Sequence, residues 1–564
     1  MKGKEARVGG VHSSNHSREI KGFNTFIDVN LLFDIPLVGK KFTWFNANGS
    51  AKSRLDRVLV SGEWMDNWPM CKQYVQNREV SDHSAIVVKS LDKDWGPKPF
   101  RTIDAWFMER GFCEMVKKKW NSYPVQGSAF VKFKEKLKCL KGDLKVWNKD
   151  VFGDINTSKK RTLQEIEDFD CQDCSRILTE ADRLKRSVLV TRLRELDKKL
   201  DSLIRQKAKG VEVGGQWCEE PCTVRLEAKK TRFKATKDLG VRLDGVEFKS
   251  LSTEVSLSLI AEFTKKEIRD SVWQCEGTKS PGSDGFNFNF LKKSWEVMKD
   301  EVVAVMILFH ETGCIPKGCN ASFVALVPKV RDPAKLEQYR PISLVGAMYK
   351  IIAKVLAERI KNVLPHVIDE SQSTFLKGRG ILDNILMANE VVEDLRRGGR
   401  SGLCLKMDFE KAYDSVRWDF LYYMQQRMGF HNRWILWIRG CMESASVSVL
   451  VNGSPTEEFI PSRGLRQGDP LTPFLFLVVA EGLTGLVREA VKANLLTGLK
   501  VGRKETLMSL LQFADDTLFF CEDSFTNVVT LKAILRGFEL ASGLKSTSQV
   551  LMSLIKTLTA TPRL

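Results

Sequence analysis

Two adjacent carboxylates inside an apolar run constrain this chain more than any other feature. In MSLLQFADDTLFFCED, apolar residues flank Ala514, Asp515 and Asp516, which predicts two short strands and a hairpin that displays the carboxylates at its tip. A buried aspartate pair is costly unless a cation neutralises it. A third carboxylate stands in a comparable place. In GLCLKMDFEKAYDSVRWDFL, Leu403, Leu405 and Met407 alternate with Cys404, Lys406 and Asp408, so the segment reads as a strand ending on Asp408 and followed by a helix. Nucleotidyl transfer gives such carboxylates a use: two Mg²⁺ roughly 4 Å apart, bridged by aspartate oxygens, activate an attacking hydroxyl and stabilise the leaving pyrophosphate. Mg²⁺ prefers hard oxygen ligands of this kind. Phe-Ala-Asp-Asp by itself is only moderately specific, and a solvated turn is the competing reading.

The charge balance points the same way. Lys plus Arg number 88 against 70 Asp plus Glu, a net +18, which favours a polyanionic partner, with nucleic acid the leading class. Between residues 101 and 250 there are 34 Lys plus Arg and 24 Asp plus Glu, so +10 of the +18 lies in about a quarter of the chain. A length of 564 residues predicts three to five folded units, and 43% apolar residues exclude wholesale disorder. No apolar run reaches the roughly 18–20 residues of a membrane span; Pro470 to Val487 is interrupted by Glu481. The N-terminal residues lack the apolar stretch of a secretory signal, so the chain is expected to be soluble and intracellular, with its 13 cysteines as thiols. Cys171 and Cys174 form a lone C-x-x-C without a second pair at zinc spacing, and thiols are the better reading.

Texture divides the chain. Residues 1–95 read as short strands and turns, with a hairpin turn at Asn46 to Gly49. Residues 96–255 read as a basic, mainly helical connector. Within it Leu189, Leu193, Leu196, Leu200 and Leu203 recur at 4, 3, 4 and 3, an amphipathic helix suited to docking on a neighbouring domain. After Ile204 the periodicity fails, and 206–235 reads as an irregular loop. From 256 to 545 regular structure returns, including a helix with Ile352, Val355, Leu356, Ile360 and Val363 inward and Lys350, Lys354, Glu358 and Lys361 outward. Residues 546–564 read as a tail.

Six segments stand in a fixed order: KSPGSDGFNFNFLKKSW, ALVPKVRDPAKLEQYRPISL, SQSTFLKGRGILDNILMANE, DFEKAYDSV, RGLRQGDPLTPFLFL and FADD. In that order and at these spacings they resemble reverse transcriptases, in the form found in LINE-type (non-LTR) retrotransposons of plants. The resemblance covers 256–545 and implies an α+β fold with the fingers and palm of a right-hand polymerase. It implies RNA-directed DNA synthesis from dNTPs on an RNA template with a DNA primer, and two Mg²⁺, or Mn²⁺ in their place. Carried over, Asp408, Asp515 and Asp516 are the catalytic and metal-binding carboxylates, with the Phe409 carbonyl a further metal ligand. Tyr413 underlies the incoming sugar and rejects a 2′-hydroxyl; its competing reading is a core aromatic. Lys329 and Arg340 hold the triphosphate, Arg bidentately, against a reading as surface cations. Gln467, between Gly464 and Gly468, packs near the templating base, where glycine allows close backbone approach. Thr472, Gly380, Leu510 and Leu511 depart from common family residues without implying inactivity. The family places such proteins in the nucleus. No membrane or obligate protein partner is implied. An RNA-dependent RNA polymerase or intron maturase shares such carboxylates.

SRLDRVLVS followed by REVSDHSAIVV resembles the C-terminal end of the endonuclease/exonuclease/phosphatase family, an α/β sandwich that precedes the polymerase in many LINE proteins and argues against those two alternatives. In that likeness His83 is the general base, Asp82 a neighbouring functional carboxylate and Asp56 the group that orients the imidazole. The metal-binding Glu and Gly-Asp-x-Asn strand of that family are not found in the roughly 50 residues before Asp56, so 1–95 is expected to be a nuclease remnant without activity. Gly153-Asp154-Ile155-Asn156 mimics the missing strand from within the connector and is read as a decoy. After Lys545 the family pattern stops, so a truncated thumb is expected, and with it weak or absent polymerase activity. The competing reading of the whole is a catalytically dead nucleic-acid-binding relic.

Overall fold

The structure is a computed structural model and describes residues 7–8, 16–38, 42–46, 51–68, 71–76, 81–89, 97–173, 179–214, 240–330, 338–451, 453–503, 505–546 and 551–555. It divides into two compact units, Met1–Gly96 and Pro97–Leu564.

The first unit is built of very short strands. Trp44–Phe45 pairs antiparallel with Lys52–Ser53, and the Asn46 amide donates to the Ala51 carbonyl, as the expected hairpin requires; residues 47–50 lie outside the described residues. Lys72–Val75 lies between Leu37–Val38 and Ile86–Lys89. Ile35, Val60 and Cys71 make a small core. The helix His16–Val29 leaves Phe23, Phe26 and Val29 exposed.

The second unit is mixed α+β. Its labelled helices are α1 (Ala129–Trp147), α2 (Glu180–Gly214), α3 (Ala347–Val363), α4 (Ile381–Arg397), α5 (Thr472–Lys492) and α6 (Phe525–Ser542). Its strands are β1 (Ala321–Pro328), β2 (Tyr339–Val345), β3 (Gly402–Met407), β4 (Ser446–Val451), β5 (Leu510–Phe513), β6 (Asp516–Cys521) and β7 (Leu551–Ile555). One sheet runs β5-β6-β3-β7, antiparallel throughout; the other is β2-β1-β4 with Ser454–Pro455 at its edge, β1 and β4 being parallel.

The alternation read from Leu403 to Asp408 holds: Leu403, Leu405 and Met407 are buried and Lys406 is exposed. The expected helix is α3, and all five of its inward residues are buried. Asp284 fixes its start, accepting the Ala347 amide at 2.5 Å. Gly282 is required at that junction, since a Cβ would lie 2.3 Å from the Val345 carbonyl carbon.

The helical segment after Pro97 has no core of its own. Trp106, Phe112, Trp120 and Phe133 share one apolar cluster with Phe290, Phe309, Trp437 and the buried side of α5. On α2, Leu196 is buried and Leu189, Leu193, Leu200 and Leu203 are half-buried, so the leucine face is the covered one.

One expectation is corrected. Residues 206–214 are not an irregular loop, because α2 continues to Gly214; Gln206, Lys207, Ala208 and Lys209 favour a helix where the amphipathic period has ended, whereas propensity does not account for Gly210 to Gly214. Gln206 is tied down from both ends, its amide donating to the Thr102 carbonyl and its oxygen accepting the Asp104 amide. Residues 551–555, which fall outside the family pattern, form a strand: β7 pairs antiparallel with β3 through Leu403↔Leu554 and Leu405↔Met552. LMSLI is a β-prone apolar run, and β3 offers it an otherwise unpaired edge. Cys174, residues 215–235 and residues 556–564 lie outside the described residues.

Candidate active site

β3 delivers Asp408 just past its last paired residue. The last pair across the sheet is Met407↔Thr517, so one step further on the two strands lie Asp408 and Asp516. The β5–β6 hairpin closes on Phe513↔Asp516, which leaves Ala514 and Asp515 as its two-residue loop. Ala514 has φ +54°, at a position where such loops ordinarily carry glycine.

Asp515 sits at the centre of the charge distribution. Burial pushes its carboxyl above the usual range, the negative charges of Asp408 and Asp516 push it further, and Arg340 on β2 opposes them. Asp516 faces another way, with its carboxylate 3.2 Å from the Lys406 ammonium. Among the described residues no three His, Cys, Asp or Glu side chains converge as a ready cage for a metal ion. The donor chemistry nonetheless fits a hard divalent cation, because the negative charges of Asp408 and Asp516 act on the half-buried carboxyl of Asp515 and a cation would relieve that repulsion.

Tyr413 also reaches this centre. Its ring packs 4.9 Å from that of Phe476, and burial together with the Asp515 charge raises its phenol to about 12. Phe409 is buried against Phe538, leaving its backbone carbonyl as the group it can offer. Lys329 follows β1 directly, and its amide donates to the Gln338 carbonyl; residues 331–337 between them are outside the described residues.

Gln467 is fixed by both ends. Its carbonyl accepts the Ser343 amide at 2.7 Å, and its side-chain amide donates to Asp414 at 3.4 Å. The close approaches that require Gly464 and Gly468 are to the protein's own backbone: both have positive φ, and added Cβ atoms would lie 2.7 Å from the Asp414 carbonyl oxygen and 3.2 Å from that of Ser343. Sequence reasoning passed over the neighbouring Arg466 and Asp469. Arg466 donates to Asn320 at 2.7 Å and to the Cys441 carbonyl, ion-pairs with Asp469 at 3.3 Å and lies over the Tyr349 ring, while the Tyr349 hydroxyl donates to Asp469 at 2.6 Å. An arginine inside a motif read for its glycines and glutamine gives no local sign of this buried network.

In the first unit His83 Nδ1 lies 2.9 Å from Asp56, whose hydrogen bond holds the imidazole above its usual value. Asp82 accepts the Trp44 indole N–H at 2.9 Å. Asp154 accepts the Asn156 amide and the Thr157 hydroxyl at the head of the helix Ile155–Asp173, a capping role that accounts for the Gly-Asp-x-Asn likeness without a nuclease.

Carboxylates at the end of an antiparallel sheet, with Arg340 in electrostatic reach, are a donor set of the kind that suits hard cations and phosphorylated ligands. The profile of the family "Reverse transcriptase (RNA-dependent DNA polymerase)" matches residues 327–546, which hold all the carboxylates of this site. The chain is 31% identical over 260 residues to the transposon TX1 uncharacterized 149 kDa protein of Xenopus laevis, covering 46% of this chain and 20% of that protein. It is 27% identical over 259 residues to the Pol polyprotein of the type-2 retrotransposable element R2DM of Drosophila melanogaster, covering 46% and 23%. To the RNA-directed DNA polymerase from mobile element jockey of Drosophila funebris it is 24% identical over 314 residues, covering 54% and 32%. Residues 327–546 carry a reverse transcriptase domain, and the relatives that this stretch resembles are proteins of non-LTR retrotransposons. It spans between a fifth and a third of the length of these relatives. The family uses divalent metal ions, a nucleic-acid template and dNTPs. Among the described residues no helix is long and apolar enough to cross a membrane.

Proposed function

We propose that residues 256–545 are the fingers and palm of an RNA-directed DNA polymerase that extends a DNA primer on an RNA template. The observation that carries this reading is the meeting of Asp408, Asp515, Tyr413 and Arg340 around one half-buried carboxyl, inside a reverse-transcriptase match.

Asp408, Asp515, Asp516 and the Phe409 carbonyl would hold two Mg²⁺, or Mn²⁺, which when bound activate the primer 3′-hydroxyl and neutralise the departing pyrophosphate. The chain's own residues do the rest. Arg340, and Lys329 at the end of β1, neutralise and orient the triphosphate. Tyr413, held by Phe476, forms the floor beneath the sugar and leaves no room for a 2′-hydroxyl. Gln467, anchored on β2 through Ser343, bounds the base-pair side of the site. The lysine-rich outer faces of the helices between 112 and 173 hold the nucleic-acid backbone by charge. Residues 1–95 carry the C-terminal signature of an endonuclease/exonuclease/phosphatase domain, with Asp56 on His83; plasmid nicking by the purified chain, abolished by His83→Ala, would contradict the expectation that this unit is inactive.

Extension of a DNA primer on an RNA template, with Asp515→Ala as control, tests the main reading. Signal from the wild type alone supports it; the same background from both proteins leaves the relic that binds nucleic acid without catalysis. The ion pair between Lys406 and Asp516 favours that second reading, since it occupies one of the carboxylates.

A further inference from the structure

The hairpin that carries Asp515 is held from outside its own sheet. β5 is an edge strand, and the segment Ser371–Thr374 runs along its free side: the Gln512 amide donates to the Ser371 carbonyl at 2.8 Å, the Ser373 amide donates to the Gln512 carbonyl at 3.1 Å, and Gln372 bridges Gln512 in parallel register. Arg379 pins this strap by donating to the Asp369 and Gln372 carbonyls.

Gln372 is 1% exposed, and its side chain points back into the hairpin. Its Oε1 accepts two amides, that of Ala514 at 3.2 Å and that of Thr374 at 3.1 Å. Two N–H donors at one atom identify that atom as the oxygen. Its Nε2 has no partner among the described residues, so the hydrogen bonds that hold this side chain are those of its oxygen. One of the two donors it satisfies belongs to the residue whose backbone is strained, since Ala514 turns at φ +54° without being glycine.

From this geometry we infer that Gln372 is a positioning residue for the polymerase site: its oxygen holds the left-handed turn at Ala514 and so sets Asp515 against Asp408. The inference rests on the reading of Asp515 as a catalytic carboxylate. Coupling runs from the strap to the turn and from the turn to the carboxylate, and Gln372 itself touches no substrate. Losing the acceptor orphans the Ala514 amide and lets the turn relax toward backbone conformations that alanine prefers. Glycine at 514 removes that preference and with it the need for the clamp.

Hydrogen exchange measured by mass spectrometry on the full chain tests this without any catalysis. Gln372→Met, close in volume but without an acceptor, is expected to speed exchange about tenfold in peptides covering residues 510–521, with peptides from α3 and α5 unchanged. Ala514→Gly added to Gln372→Met is expected to restore the protection of the Asp516 amide, and Gln372→Glu, which keeps an oxygen acceptor, to retain most of it. In primer extension Gln372→Met lowers kcat with KM for primer-template unchanged, and Ala514→Gly recovers kcat. Unchanged exchange in 510–521, loosening spread evenly over the chain, or no rescue by Ala514→Gly overturns the inference. A wild type that fails to extend a primer overturns the polymerase reading instead and leaves the exchange result to decide the role of the clamp.

Discussion

The Lys406 ammonium lies 3.2 Å from the Asp516 carboxylate, on the exposed face of the strand that ends in Asp408. Both partners are more than half exposed, at 57% and 52%, so the pair contributes under about 1 kcal/mol to folding. On the proposed reading its effect is on the site, where the lysine charge would compete with divalent cations for Asp516. Lys406→Met is expected to leave Tm unchanged and to lower the Mg²⁺ midpoint for primer extension by about threefold to fivefold, the scale of one removed charge at short range. A Mg²⁺ titration of both proteins at constant ionic strength checks this.

Glu481 lies in the middle of α5 at 1% exposure. It accepts the Asp369 amide at 3.0 Å, and Arg488 stands 3.6 Å away. Burial raises its carboxyl from the ordinary 4.5 to about 7, against the pull of the Asp369 amide and Arg488. The folded chain thus holds this proton more tightly than the unfolded chain. Its contribution is fully present below about pH 4.5, falls as pH rises to about 7 and is flat above, a loss of about 3 kcal/mol in all. Glu481→Gln is therefore expected to match the wild type near pH 4.5 and to exceed it in urea resistance at pH 8.

The network around Arg466 makes a sharper statement about folding. Arg466 and Asp469 side chains are 7% and 3% exposed, so removing the cation leaves a buried anion. Arg466→Met is expected to cost about 3–5 kcal/mol. Tyr349→Phe, which removes one hydrogen bond to Asp469 and keeps the ring under the guanidinium, is expected to cost about 1 kcal/mol. Urea unfolding of the two variants distinguishes these magnitudes.

Tyr413 offers a test of substrate choice. On the proposed reading Tyr413→Ala would open space beneath the sugar, and it is expected to reduce the preference for deoxy- over ribonucleotides by about tenfold or more, about 1.4 kcal/mol of discrimination. Ratios of kcat/KM for dATP and ATP measure it. Unchanged discrimination would make the ring only a packing partner of Phe476.

How legible the site was in the sequence follows from the range of each interaction. The strand before Asp408 and the hairpin around Asp515 announce themselves locally, through alternation and through apolar runs that flank a turn. Arg340 and Tyr413 came from the family likeness, and the structure brings both within electrostatic reach of Asp515. Gln372 stands in one of the segments that carry the family likeness, but its role is not legible there, because its bond to Ala514 spans 142 residues and has no period. The extension of α2 past Ile204 is hidden for the opposite reason: its apolar stripe ends there, and only Gln206 to Lys209 keep a local helix preference. The pairing of β7 depends on the exposed edge of β3, which its own five residues cannot reveal.

Single-nucleotide incorporation onto a DNA primer paired with an RNA template, in Mg²⁺, measured for the wild type and for Asp408→Asn, addresses the central claim most directly. The account predicts incorporation by the wild type and a loss of at least about a thousandfold in the variant, about 4 kcal/mol of transition-state stabilisation. Equal rates in the two proteins, or none in either above a protein-free control, would contradict it.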